Sequence, residues 1–386
     1  MSKLFPALCL CVSLILTSSC QAQTRQNAAQ NSLFTIAPGF PLNLGSRPSD
    51  LAVGDLNKDG RIDVVTCNDD DTVKVLLNDG RGSFVPAPGS PIKAAAHLID
   101  LGDVNNDRNL DIALTHHDSL GVQIFLGAGN GRFSAAPGSP FIAHPGDKAH
   151  NHGLTLSDLN SDRNLDITTS NQDDNSVSVL LGNGRGSFAP AAGSPFAVGR
   201  APYPHAVGDV NKDGNLDIVA PNVGGNSVSV LVGNGRGEFR NAPNSPISVA
   251  GRPFYAAIGD VNGDSHADLM TTHDDINLMT TLLGDGRGGF TPARGSPFDL
   301  GRRGYAILAA DLMGDARTEV IVNLIGRDSL IVLLSTESGG YTLAAGSPYQ
   351  AGLNPKLATA DFNGDGKLDI ITAGNESSDL TVLLQK

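Results

Sequence analysis

The phrase GDLNKDGRIDVV, residues 54–65, returns in six more versions, and no other feature narrows the possible folds as far. The copies begin at Asp55, Asp103, Asp158, Asp209, Asp260, Asp311 and Asp361, so successive intervals are 48, 55, 51, 51, 51 and 50 residues. A period near fifty marks an array of one supersecondary unit. Each unit carries a short apolar run, the Asp-rich loop, a β-branched run such as DIVA (217–220), an alternating segment such as SVSVLLGNG (176–184), a Phe, and an APxxGSP phrase. Short runs punctuated by Gly, Asn and Pro read as strands and tight turns, and no segment has a helical period. Four strands in each of seven units predict an all-β chain, a seven-bladed β-propeller of four-stranded antiparallel blades.

The two chain ends support this arrangement. The last unit stops at LTVLLQK, one strand short, while LFTIAPGFPLNLG (33–45) matches SFAPAAGSPFAVG (187–199). Residues 33–45 are therefore expected to complete the last blade and close the ring, which removes exposed sheet edges. The abundance of turn formers, 46 Gly and 22 Pro, suits this reading. The formal net charge of −13 argues against nucleic acid and anionic membrane surfaces as partners.

Residues 1–22 read as a targeting segment, with Lys3 ahead of an apolar stretch (4–17) too short for a membrane span. Two exits are open: a lipoprotein-type LTSSC ending at Cys20, which would lipidate that residue, or ordinary cleavage near CQA (20–22). Both imply export to the cell surface, outer membrane, periplasm or exterior, with the membrane involved only through a lipid anchor. Residues 23–32 form a polar tether, and 33–386 form the propeller domain. With Cys9 and Cys11 in the leader, a disulfide scaffold is excluded. Cys67 is expected as a buried small hydrophobe.

Numbered from its first Asp, six of the seven loops place oxygen side chains at positions 1, 3, 5 and 9, a pattern suited to a hard cation such as Ca2+. The candidate ligands are Asp55, Asn57, Asp59, the Arg61 carbonyl and Asp63; Asp103, Asn105, Asp107 and Asp111; Asp158, Asn160, Asp162 and Asp166; Asp209, Asn211, Asp213 and Asp217; Asp260, Asn262, Asp264 and Asp268; and Asp361, Asn363, Asp365 and Asp369. A helix–loop–helix hand is excluded, because its position-12 Glu is replaced by Thr66 inside a strand. Gly60, Gly214 and Gly366 supply the sharp turn at position 6, so loops one, four and seven are the best expected sites. Arg108, Arg163 and Ser265 replace that glycine in loops two, three and five, where all four oxygen ligands remain and weaker or more strained cation binding is expected. Loop six, with Met313, Ala316 and Glu319, is expected to hold no cation. Positions 1, 5 and 9 of the seven loops account for 21 of the 40 acidic residues, and clustered carboxylates repel unless neutralised. Arg81, Arg132, Arg185, Arg236 and Arg287 of the GNGRG-like loops are expected as local charge partners.

The D-x-N-x-D-G-x-x-D loop between strands, followed by Gly-Asn-Gly and Phe, resembles the FG-GAP/VCBS repeats of the integrin α-subunit propeller and its bacterial relatives. The resemblance spans 33–386. It implies a propeller whose loops bind structural Ca2+ and whose role is binding or adhesion, with an extracellular protein or glycan as partner and a monomeric chain.

The calcium loops crowd one face of such a ring. Eight of the nine His fall on segments of the other face: His97, His116, His117, His144, His150, His152, His205 and His273. Six residues before each first Asp, at the mouth of the central channel, stand Ser49, His97, His152, Tyr203, Phe254, Tyr305 and Pro355. His97, His116, His152, Tyr203 and His205 are the candidate site for a ligand or a transition metal. Three functions compete: a non-catalytic binding module, a polysaccharide lyase or hydrolase using this face, and a lectin. The absence of Trp counts against the lectin, because sugar stacking uses such rings.

Overall fold

In the computed structural model, residues 32–80, 83–144 and 150–386 are described. The leader, Cys20, Arg81 and all of the tether except Ser32 lie outside them. The described residues contain strands and turns, with no helix. They form seven antiparallel sheets. Blade one runs Pro48–Gly54, Asp63–Asn68, Thr72–Asn78 and Phe84–Pro86, from channel to rim. Blade seven has Pro355–Ala360, Asp369–Gly374 and Asp379–Gln385 from the C-terminus and takes its outer strand, Phe34–Ile36, from the N-terminus. Phe34 pairs with Gln385 and Ile36 with Leu383, closing the ring as the two chain ends predict.

Each outer strand is longer than expected and broken in two. After the Gly-Ser-Pro turn, a two-residue segment such as Ile92–Lys93 returns to pair with the third strand. The break is held by the serine: Val75 N–H donates to Ser90 Oγ at 2.9 Å, and Val179 N–H to Ser194 Oγ at 2.9 Å. The APxxGSP phrase thus caps a strand amide that a continuous ladder would have satisfied.

The second strand of every blade is buried along its whole length, which explains its near-continuous apolar or β-branched sequence. Side chains from facing blades interdigitate in seven apolar wedges, one at each seam. Cys67 sits in the wedge between blades one and two, fully buried, with its thiol pKa pushed up by that burial. The first strand of blade four is cut to Ala206–Gly208, because Pro202 and Pro204 have no N–H to donate.

Candidate functional site

The Asp-rich loops follow the first strands at one end of the channel. Their backbone is left-handed at positions 4 and 6 in all seven copies: Lys58 and Gly60 in the first, Asn106 and Arg108 in the second, Gly364 and Gly366 in the last. Nothing crowds a Cβ at Gly60, Gly214 or Gly366, so conformation alone favours glycine there. Arg108, Arg163, Ser265 and Ala316 adopt the same turn with φ between 63° and 70°, which costs about 1–2 kcal/mol each.

Within a loop, the side chains of positions 1, 3 and 5 accept the loop's own amides. Asp209 Oδ2 takes Gly214 N–H at 2.9 Å, Asn211 Oδ1 takes Asp213 N–H at 2.9 Å, and Asp213 Oδ1 takes Asn215 N–H at 2.8 Å. The position-9 carboxylate has a different task. Asp217 is wholly buried and clamps Val210 N–H at 2.9 Å and Gly233 N–H at 2.8 Å, tying the loop to the end of the third strand. Asp63, Asp111, Asp166, Asp268 and Asp369 make the same two bonds. Burial, followed by repulsion from the position-5 and position-1 carboxylates, pushes Asp63, Asp111, Asp166, Asp217 and Asp268 up to about 6. In loop six, Glu319 accepts from Leu312 and Met313 instead, and Arg317 pairs with Asp315 at 2.5 Å.

Oxygen donors that repel one another fit a hard cation, with Asp, Asn and Asp at positions 1, 3 and 5 as its nearest holders and the buried position-9 carboxylate behind them. Among the described residues, however, no three His, Cys, Asp or Glu gather as a metal-holding group. Arg61 also lays its guanidinium on Asp59, inside one of the three best expected loops. The expectation for the GNGRG arginines holds for Arg287, which lowers the Asp285 carboxyl first through its backbone N–H and then through its charge. Arg132, Arg185, Arg236 and Arg287 form no direct ion pair among the described residues. Their backbone amides are held instead, as Arg185 N–H is by Asn183 Oδ1 at 2.9 Å.

At the other end of the channel the first strands enter through irregular steps. Register shifts fall between Pro48 and Asp50, Asn151 and Gly153, Pro253 and Ala256, and Gly304 and Ile307. The residues inside these shifts are Ser49, His152, Phe254 with Tyr255, and Tyr305 with Ala306. A bulge re-aims a side chain, and here Ser49, His152, Tyr255 and Tyr305 line one cavity of about 90 Å3 with His97, His117, Tyr203 and Lys356.

The rings form a continuous chain around this mouth. His116 meets His97 at 4.3 Å between centroids, and His97 stacks on His117 at 4.2 Å with the planes 1° apart. His117 meets His152 at 4.6 Å, His152 stacks on Tyr203 at 4.0 Å, and the chain continues through Phe254 to Tyr305 at 4.3 and 5.0 Å. Burial, then repulsion from neighbouring imidazoles, lowers His97, lowers His117 to about 4 and lowers His152 to about 3, so all three are neutral at pH 7. Tyr203 is pushed up to about 12, chiefly by burial.

Of the five candidate residues, His97, His116, His152 and Tyr203 come together in this chain, and His205 does not. His205 is buried below the mouth with both ring nitrogens engaged, Nε2 with Thr168 Oγ1 at 2.6 Å and Nδ1 with Ser170 Oγ at 2.8 Å, and burial lowers it to about 4. It joins blade four to blade three. Rings stacked face to face do not point their nitrogens at a common centre, in keeping with the lack of a metal-holding group among the described residues.

Reading one column of the repeat missed the charged centre of the mouth. Five residues before each first Asp stand Asp50, Leu98, Gly153, Pro204, Tyr255, Ala306 and Lys356, two charges in an otherwise uncharged column. Lys356 Nζ donates to Tyr255 Oη and lies 4.8 Å from the Tyr255 ring and 5.6 Å from that of Tyr305. Burial opposes its charge, while Tyr255, Tyr305 and Asp50 hold it protonated. Asp50 also takes Ile99 N–H at 3.3 Å from the next blade. Tyr255 and Lys356 also line a cavity of about 150 Å3 below, with Asp50 and His205, so the ammonium stands between mouth and channel.

Against known proteins, the FG-GAP-like repeat family profile matches residues 55–114, 103–169 and 158–220. The matched stretch, residues 55–220, consists of FG-GAP-like repeats within the seven-bladed propeller. No curated protein matches it in sequence. Among solved structures, the propeller of BBS1N in complex with ARL6DN is similar at a TM-score of 0.62 and 13% identity, covering 92% of this chain and 98% of that one. An Agrocybe aegerita lectin that recognises non-reducing terminal N-acetylglucosamine is similar at 0.56 and 20%, covering 88% and 85%. Virginiamycin B lyase from Staphylococcus aureus is similar at 0.57 and 14%, covering 92% and 100%. At these identities the likeness concerns the fold alone, and the three proteins differ in activity.

Proposed function

We propose that this FG-GAP-like propeller is an exported, monomeric, calcium-stiffened binding module that holds an extracellular protein or glycan at its His-rich channel mouth without turning it over. The observation that carries this reading is the chain of rings from His116 to Tyr305 around the buried Lys356 ammonium. Two of these contacts are stacked, His97 on His117 and His152 on Tyr203, and the lining of the mouth brings imidazoles, phenols and one ammonium together. Such a donor array suits an acceptor-rich partner, a peptide segment or a sugar's hydroxyls. Calcium in the Asp-rich loops is structural in this reading, and export follows from residues 1–22, with Cys20 as the lipid-bearing residue if the lipoprotein exit is used.

The full chain, with calcium, should be tested on a glycan array and a panel of extracellular proteins beside Lys356→Met and His117→Ala/His152→Ala. Binding by the wild type that both variants lose, with melting unchanged, supports the reading. Binding that survives in both variants contradicts it. One observation favours a second reading: Lys356 donates to Tyr255 and its charge opposes the burial that raises the Tyr255 hydroxyl above the usual phenol range, the pairing a phenolate base would need. Turnover of an extracellular polysaccharide that Tyr255→Phe abolishes would replace the binding module with a lyase or hydrolase.

A further inference from the structure

We propose that the seam where blade seven meets blade one is a second binding site, taking a neutral planar ring compound that carries a carbonyl or hydroxyl acceptor. A cavity of about 490 Å3 opens there, lined by Pro38, Phe40, Phe84, Phe362, Val382 and Leu384 among others. That volume lies in the range of small-molecule sites. At the corresponding seam between blades one and two, the cavity along Val75, Pro88, Ser90 and Phe133 is about 70 Å3.

Two departures from the repeat stand at the closing seam. In six blades the residue before the proline is the serine that accepts a third-strand amide, from Val75, Ile124, Val179, Val230, Thr281 and Val332. In blade seven that residue is Phe40, so the Val382 amide in the cavity wall has no serine hydroxyl to donate to. Loop position 2 is Leu or Val in six copies and Phe362 in the seventh.

The rings are rearranged accordingly. In four of the other blades the residue after the proline is a ring that meets the next blade, as Phe141 meets Phe188 at 5.4 Å and Phe196 meets Phe239 at 5.3 Å; in the remaining two it is Ile92 or Ile247. At the closing seam Leu42 takes that place, and Phe40 meets Phe84 at 6.0 Å, which meets Phe362 at 6.3 Å, both edge to face. The wall is therefore aromatic, and the Val382 amide lies within it. Charge selects a neutral ligand. The charged side chains of the wall are already engaged, Arg61 with Asp59 and with Asn78 O at 2.8 Å, and Asp361 with the amides of Gly364 and Gly366 at 2.7 and 2.8 Å.

Nile red is a suitable probe: neutral, planar, with a ring carbonyl, and bluer in emission in apolar surroundings. The full chain should bind one molecule with a blue shift. Leu384→Trp, which fills the cavity, should weaken binding at least tenfold. Phe40→Ser, which removes a wall and restores the hydroxyl, should do the same and serves if the first variant fails to melt cooperatively. Leu343→Trp, in the other large apolar cavity of about 390 Å3, should leave binding unchanged. No binding by the wild type overturns the assignment. So does wild-type affinity in a cooperatively melting Leu384→Trp or Phe40→Ser, or loss of binding in Leu343→Trp.

Discussion

Replacing Asp217 by Ala separates the buried clamp from the exposed ligands of the same loop. Asp217 is wholly inside the protein, and its two oxygens hold Val210 N–H and Gly233 N–H. The substitution leaves two donors where water does not enter, at about 1–3 kcal/mol each, or about 2–6 kcal/mol in all. Asp209→Ala also frees loop amides, those of Gly214 and Asn211, but in a loop open to water, so without metal it should cost less than about 1 kcal/mol. Urea unfolding in EDTA measures both, with constant m-values confirming that only stability has changed. The pH dependence gives a second check. Burial raises the native Asp217 carboxyl from 3.8 to about 6, so between these values the native state binds the proton more tightly. Stability from this group is present below about 4 and lost as pH rises through 6. The gap between wild type and Asp217→Ala should therefore widen from pH 7 to pH 4.5. Equal costs for the two variants, or a gap that narrows on acidification, would refute the clamp.

Other outcomes follow from the same geometry. Arg163→Gly relieves a left-handed arginine and should stabilise the metal-free protein by about 0.5–1 kcal/mol in urea, after the greater flexibility of unfolded glycine is deducted. Phe34→Ala empties a 2%-exposed position at the closing strand and should cost about 3–5 kcal/mol in thermal or urea melts. Calcium should raise the melting temperature more at pH 7.5 than at pH 5, because a bound cation needs the position-9 carboxylates ionised and their raised pKa values oppose that in acid. A larger calcium shift at pH 5 would contradict that coupling.

Much of the architecture was legible because it repeats. Seven copies of one loop specify seven blades, and the unmatched strands at the two ends specify how the ring closes, as the Phe34–Gln385 pairing shows. Features carried by the register of a single blade were not legible. The bulges that turn His152 and Tyr255 into the mouth leave no mark in composition. Asp217 and Asp213 look alike in a motif, yet one is a buried clamp and the other an exposed loop residue, a difference that depends on the adjoining third strand. His205 looked equivalent to His152 until its depth and its two hydroxyl partners were seen. Lys356 stands in the repeat one column from His97, His152 and Tyr203. Its meaning depends on Tyr255, a hundred residues earlier in the chain and two blades away around the ring.

The most direct test of the account is scanning calorimetry of the full chain at pH 7.5 in 10 mM calcium and in EDTA. With affinities of about 10⁻⁴–10⁻³ M, each occupied loop adds about 1.4–2.7 kcal/mol at that concentration, so several loops together should raise the melting temperature by many degrees. A melting temperature that is the same in calcium and EDTA would contradict the claim that these loops are cation-held turns.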